Sequence, residues 1–243
     1  MNINENGFNQ DDFNTAPDGS KIYHHKKADN AGWQPPTQYC VHMDDICAHF
    51  DKLFPGRQTN VLHEIVSELV HIDLHIMPPV PGGDFYVVYT TGMSDLPMNV
   101  PSELEGAENW RLAEIFMMLP PDWNPSAQAD NPDFWVIGLL KFLARMPHEF
   151  STWLSHGHTV PNGPNYAPFV QGSQMGGVVL AGLSDDKSPV VTKDGSKIHL
   201  YMVAPISRKE TEFKLKNGLD ALFDLFDQQK IGTIADIYRS SVV

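Results

Sequence analysis

Two His-Glu pairs, His63-Glu64 and His148-Glu149, and the stretch LSHGHTVPNG from Leu154 to Gly163 hold the residue types that metal-dependent hydrolysis uses. Imidazole nitrogens ligate a divalent cation and a neighbouring carboxylate serves as base, as in metalloproteases whose helix carries a second His four residues after the first. The position four after His63 is Ser67, and the position four after His148 is Thr152, so the pattern fails twice. His156-Gly157-His158 lies in a Pro- and Gly-bearing loop with no third ligand beside it in sequence. It joins a distant His or Asp only if the fold brings one, and the expected reading is a hydrogen-bonded structural loop. A metal-dependent hydrolase would need His63, His71, Asp73, His156 or His158 to converge.

The cysteines repeat the lesson. Cys40 and Cys47 fall within a predicted helix, Tyr39 to Phe54, where seven residues span about 10 Å, beyond the roughly 7 Å a disulfide bridges. Both read as reduced thiols. Each heads a Cys-x-His unit, Cys40/His42 and Cys47/His49, but residues two apart on a helix point about 200° away from each other and do not share an ion. The sequence predicts no tightly held transition metal and no cofactor. It also holds no GxSxG nucleophile elbow, no Walker loop and no GxGxxG after a strand; Gly176-Gly177 reads as a bulge or close backbone approach.

Positioning elements follow from periodicity. Met43, Ile46, Phe50 and Leu53 keep helical spacing up to Pro55-Gly56. The period then becomes two: Val70, Ile72, Leu74 and Ile76 alternate with His71, Asp73 and His75, predicting a strand with one packed and one polar face. Asp84–Thr91 and Trp110–Leu119 predict further strands. Asn131-Pro132-Asp133 opens a helix with the stripe Trp135, Leu139, Phe142 and Met146, stopped or kinked at Pro147. Strand-like segments follow around Phe169–Leu183 and Lys197–Ile206. A capping box, Ser207 to Glu210, starts a long final helix carrying Leu215, Leu219, Leu222 and Phe226. DGSKI occurs at Asp18–Ile22 and Asp194–Ile198 and reads as a recurring Asp-Gly turn, since nothing around it repeats. The sum is an α+β fold, a mixed or antiparallel sheet packed with helices. Residues 1–30 are expected to form a mostly disordered tail, with residues 1–18 dispensable for folding, and residues 31–243 a single domain.

Charge separates the chain into unequal parts. Of 243 residues with net charge −13, residues 31–135 carry 15 Asp or Glu against 3 Lys or Arg, whereas residues 136–243 are nearly neutral with 10 against 11. An acidic half repels phosphate backbones and favours basic partners, so nucleic acid is excluded as a ligand class and a basic protein partner is expected. No charged-then-apolar leader and no apolar run of about 20 residues occurs, which predicts a cytoplasmic protein without a membrane contact.

Five stretches carry a resemblance: HEIVSELVHIDLHIMPP (His63–Pro79), TTGMSDLPMNVP (Thr90–Pro101), MMLPPDW (Met117–Trp123), LLKFLARMPHEFSTWLSHGHTVPNG (Leu139–Gly163) and APISRKETEFKLKNGLDALFDLF (Ala204–Phe226). In this order they resemble the Suppressor of fused (SUFU) domain family in its bacterial form, over about Tyr39 to Phe226. The resemblance implies a SUFU-like α/β sandwich and a non-enzymatic binding module. Eukaryotic members sequester Gli-type transcription factors, gripping a peptide as an added strand between two lobes, and this sequence has no counterpart of the second lobe. Bacterial members resemble immunity proteins that neutralise polymorphic toxin domains, often nucleases, by stoichiometric binding. Gly92-Met93-Ser94-Asp95 looks like the family's Gly-Leu-Ser-Asp turn. The expected partner contacts are Asp73, Gly92, Ser94, Asp95 and Asn99, with His156, His158 and Asn162 of the second loop. A regulator sequestering another partner is the alternative of the same class.

Overall fold

Strand parity decides the architecture. The computed structural model of the protein describes residues 13–25, 32–83 and 85–243. Along each central strand, successive side chains point to opposite faces of the sheet, and here both sets are apolar. Leu74, Ile76, Val88, Ile115, Met117, Val178, Leu180 and Val203 share one core with Val136, Leu140 and Leu143. The alternate residues Met77, Val87, Tyr89, Phe116 and Leu200 share another with Ile46 and Phe50. A sheet apolar on both faces must be covered on both, and helices cover it.

The elements are β1 (Phe13–Thr15), β2 (Lys21–Tyr23), α1 (Met43–Leu53), β3 (Asn60–Leu62), β4 (Asp73–Met77), β5 (Tyr86–Thr91) and β6 (Leu112–Leu119). They continue with α2 (Trp135–Glu149), β7 (Thr159–Pro161), β8 (Met175–Gly182), β9 (Val190–Val191), β10 (Lys197–Ser207), α3 (Arg208–Asn217) and α4 (Leu219–Gln228). Among the described residues eight strands form one sheet, ordered β3-β4-β5-β6-β10-β8-β7 with β9 on β10. Only β6 and β10 run parallel; the other pairs are antiparallel. The sheet is mixed, one of the two arrangements expected. α2 covers one face, while α1 covers the β4–β6 end of the other and α4 its β8–β10 end, where Leu222 and Phe226 meet Val179 and Ile206.

Four local expectations change. The polar face of β4 is closed: His75 is buried under α1, whose Phe50 stacks on Tyr89 at 3.9 Å, with His75 stacked on the same ring at 4.7 Å, and Asp73 is buried among His63, His71 and Cys40 of the segment before α1. Cys40 precedes α1 and has φ 47°, so it does not share a helix with Cys47. α2 runs through Pro147 to Glu149, because the proline enters only at the last turn, and Thr152 N–H donates to its carbonyl at 2.9 Å. The final helix is two: Gly218, with φ 91° and ψ 167°, breaks it so that α4 folds back onto the sheet. The Ser207–Glu210 capping box forms as read, with both reciprocal bonds.

Residues 1–12 and 26–30 of the expected tail lie outside the described residues. Within it, β1 and β2 form a hairpin around the Asp18-Gly19 turn, with Asp18 N–H donating to Leu215 O at 3.0 Å and His25 Nε2 3.1 Å from Thr152 Oγ1. Here paired backbone and a bond to α3 hold residues 13–23 in place of apolar side chains.

Candidate functional site

A buried polar cluster gathers where the segment before α1, the loop entering β4 and the turn after β5 meet. Asp73 is its hub. Its Oδ2 lies 2.8 Å from His63 Nδ1, its Oδ1 lies 3.0 Å from His71 Nε2, and Glu64 N–H donates to it at 3.0 Å. Burial works to raise the Asp73 carboxyl, but these donors and the two imidazoles hold it below the usual carboxylate range. Cys40 Sγ stands 4.0 Å from Asp73 Oδ2 and 3.7 Å from Thr91 Oγ1. Burial, with Asp73, Asp95 and Glu114 nearby, pushes that thiol up to about 12, so at neutral pH it is no nucleophile.

Two further carboxylates lock the surroundings. Glu114, fully buried in the middle of β6, accepts from Thr90 Oγ1 at 2.6 Å, Gly92 N–H at 3.1 Å, Ser94 N–H at 3.0 Å and Ser94 Oγ at 2.7 Å. Burial pushes its carboxyl up to about 7 against the pull of those donors. Glu64 reaches across to α2, pairing with Lys141 at 3.2 Å and with Arg145. Gly92 has φ 101°, and a Cβ there would lie 1.8 Å from His71 O, so the turn demands glycine. Asp95 closes the other side, accepting from Cys40 N–H at 2.6 Å and Val41 N–H at 2.8 Å.

The expected contact residues are thus divided. Asp73, Gly92, Ser94 and Asp95 are brought together but buried, each tied into internal bonds, and they shape the surface without being offered on it. Asn99 is exposed at the foot of the next loop, with its side-chain amide donating to Ser151 O at 2.8 Å and its N–H to Thr152 O at 2.9 Å. The second loop sits on other elements. His156 is exposed and its Nδ1 accepts from Gly182 N–H at 3.0 Å. His158 packs edge-on against Trp153 at 4.6 Å, and burial pushes its ring down to about 4. Asn162 is half-buried, bonded to Gly176 O at 2.8 Å and Ala167 O at 2.7 Å. The hydrolase set is likewise split: His63, His71 and Asp73 meet, whereas His156 and His158 pair with β8 and the end of α2. A cleft of roughly 400 Å³ lies elsewhere, between β10, α4 and the C-terminal segment, lined by Met202, Phe223, Phe226, Ile231, Ile234 and Arg239.

Sequence reading passed over Glu114, and it weighed Glu64 and Cys40 only with their immediate neighbours His63 and His42. Glu114 did leave a signal, a lone acid in the otherwise apolar LAEIFMML of β6, because a buried strand tolerates a carboxylate only where donors converge on it. The other two depend on contacts 31 to 81 residues away in sequence, which no local pattern encodes.

A mixed sheet clad by helices on both faces, with its polar residues bonded among themselves, defines an α+β sandwich whose interior is organised for shape. A sequence profile described as Suppressor of fused protein (SUFU) matches residues 68–240, and the chain belongs to that family. No curated protein matches. Solved structures share the fold. A putative SUFU homologue from Neisseria gonorrhoeae FA 1090 superposes with TM-score 0.60 at 17% identity, covering 83% of this chain and 97% of that one. A structure of the Sufu-Fu complex gives 0.61 at 14%, covering 84% and 93%. Drosophila Suppressor of Fused gives 0.58 at 16%, covering 88% of this chain but 54% of the fly protein.

Proposed function

We propose that this chain is a stoichiometric protein-binding domain, an immunity protein that neutralises a polymorphic toxin domain by covering its basic surface in the cytoplasm. The carrying observation is the loop from Met98 to Arg111, pinched shut by Met98 N–H donating to Arg111 O at 2.7 Å. It presents Glu103, Glu105 and Glu108, all exposed, beside exposed Asn99. Of the 15 acids in residues 31–135, Glu64, Asp73, Asp95 and Glu114 are spent on internal bonds. The three acids of this loop are among those left facing solvent and add to the field a partner meets. Basic nuclease surfaces, which bind phosphate, are complementary to it. Family membership supports binding as the mode of action, since one relative of the same fold is solved in a Sufu-Fu complex.

Mixing the purified chain with the product of the gene adjacent to its own, assayed for toxin activity, tests the reading. A one-to-one complex in native mass spectrometry together with loss of toxin activity is expected. A chain that leaves the toxin fully active, or that turns it over catalytically, contradicts it.

A further inference from the structure

Cys40, His71 and Asp73 have a relation that their spacing in sequence conceals. One ligand atom from each, Sγ, an imidazole nitrogen and a carboxylate oxygen, lies within 4.8 Å of the other two. In a tetrahedral zinc site with bonds of about 2.0–2.3 Å, neighbouring ligand atoms stand about 3.3–3.8 Å apart. His71 Nε2 is 3.0 Å from Asp73 Oδ1 and Cys40 Sγ is 4.0 Å from the other carboxylate oxygen, Oδ2; with every ligand pair inside 4.8 Å, side-chain movements of about an ångström close the set on one ion.

The surroundings match what a metal-ligating set requires. Ser67 Oγ sits 2.7 Å from His71 Nδ1, so it can accept that N–H and leave Nε2 with its lone pair toward the ion. Asp73 is oriented by Glu64 N–H and His63, and Cys40 is fixed through its own N–H on Asp95. Asp73, Asp95 and Glu114 make the locality negative, which favours a divalent cation. Beside the trio, the His63 side chain is 70% exposed and leaves room for a fourth ligand from the ring or from water.

We propose that Cys40, His71 and Asp73 form a structural zinc site that ties the segment before α1 to the loop entering β4. Thiolate with imidazole and carboxylate selects zinc over magnesium or calcium. Binding releases the Cys40 proton to solvent and shifts the His71 proton from Nε2 to Nδ1, where Ser67 Oγ accepts it, so the His71–Asp73 hydrogen bond gives way to bonds from Nε2 and the carboxylate to the metal. This goes against the expectation of a metal-free chain, which rested on the two His-Glu pairs that lack a second His four residues on, with Cys40 set aside because it was placed within the helix.

The test uses the full chain, stripped with chelator and titrated with cobalt(II), then zinc. The expected result is one equivalent bound, a thiolate-to-cobalt charge-transfer band, displacement of cobalt by zinc, and affinity lowered at least about tenfold in folded His71→Gln. The chain has two cysteines, so retention of the band in Cys47→Ser assigns the thiolate to Cys40 without any variant at the site. Absence of the band in the wild type, or its loss in folded Cys47→Ser, overturns the proposal.

Discussion

Glu114 shows how much a single side chain fixes. Its carboxylate takes four donors from Thr90, Gly92 and Ser94, so Glu114→Ala strands them in a dry interior at a cost of about 3–5 kcal/mol. Urea unfolding of that variant should show a loss of this size. Gly92→Ala should lose at least as much, because its Cβ would overlap His71 O. Lysine at Asp73 or Asp95 would destabilise the fold itself, because both carboxylates are buried in internal bonds. Three buried histidines give the pH dependence. Burial, first in each case, holds His75, His148 and His158 at about 4, below the unfolded value near 6.5. Between those values the unfolded chain binds more protons, so stability is full above about 6.5 and falls as pH drops toward 4. Glu114, raised to about 7, acts in the opposite sense, binding its proton more readily when folded. Three groups against one leave a net acid loss on the order of a few kcal/mol. Denaturant midpoints measured from pH 7 to pH 4 should fall steadily, and a flat profile would contradict the neutral, buried state of these rings.

At the scale of elements, what was legible followed local rules. Ile46 and Phe50 kept helical period and became the buried face of α1, and Ser207 with Glu210 marked the start of α3. What was not legible required tertiary knowledge. Alternation at Leu74 to Ile76 predicted the strand but not the helix over its polar face, and Gly218 gave no sign that α3 and α4 separate. The β1–β2 hairpin is the strongest case, because its support comes from Leu215 O and Thr152 and not from its own composition. Deleting residues 1–25 should therefore lower the melting temperature by about 3–6 °C, corresponding to roughly 1–2 kcal/mol in a chain of this size. Calorimetry showing a shift under about 1 °C would mean the hairpin contributes nothing to the domain.

For the molecule as a whole, the family and the mixed α+β sheet were readable from five stretches of sequence, while the interaction surface was not. Net charge of −13 locates no face by itself. The structure removes four carboxylates to the interior and leaves Glu103, Glu105 and Glu108 on one pinched loop. Charges on such a rim act mainly on encounter, through a field screened beyond about 4 Å at 500 mM salt and about 14 Å at 50 mM. The central claim, stoichiometric capture of a basic partner through this loop, is tested most directly by association kinetics with the neighbouring toxin domain at those two salt concentrations, wild type beside the Glu103→Lys, Glu105→Lys, Glu108→Lys triple variant. The account predicts a one-to-one complex whose association slows at least about tenfold in high salt and at least as much in the triple variant at low salt, with the melting temperature unchanged. Association rates that match between the two proteins and ignore salt would contradict it.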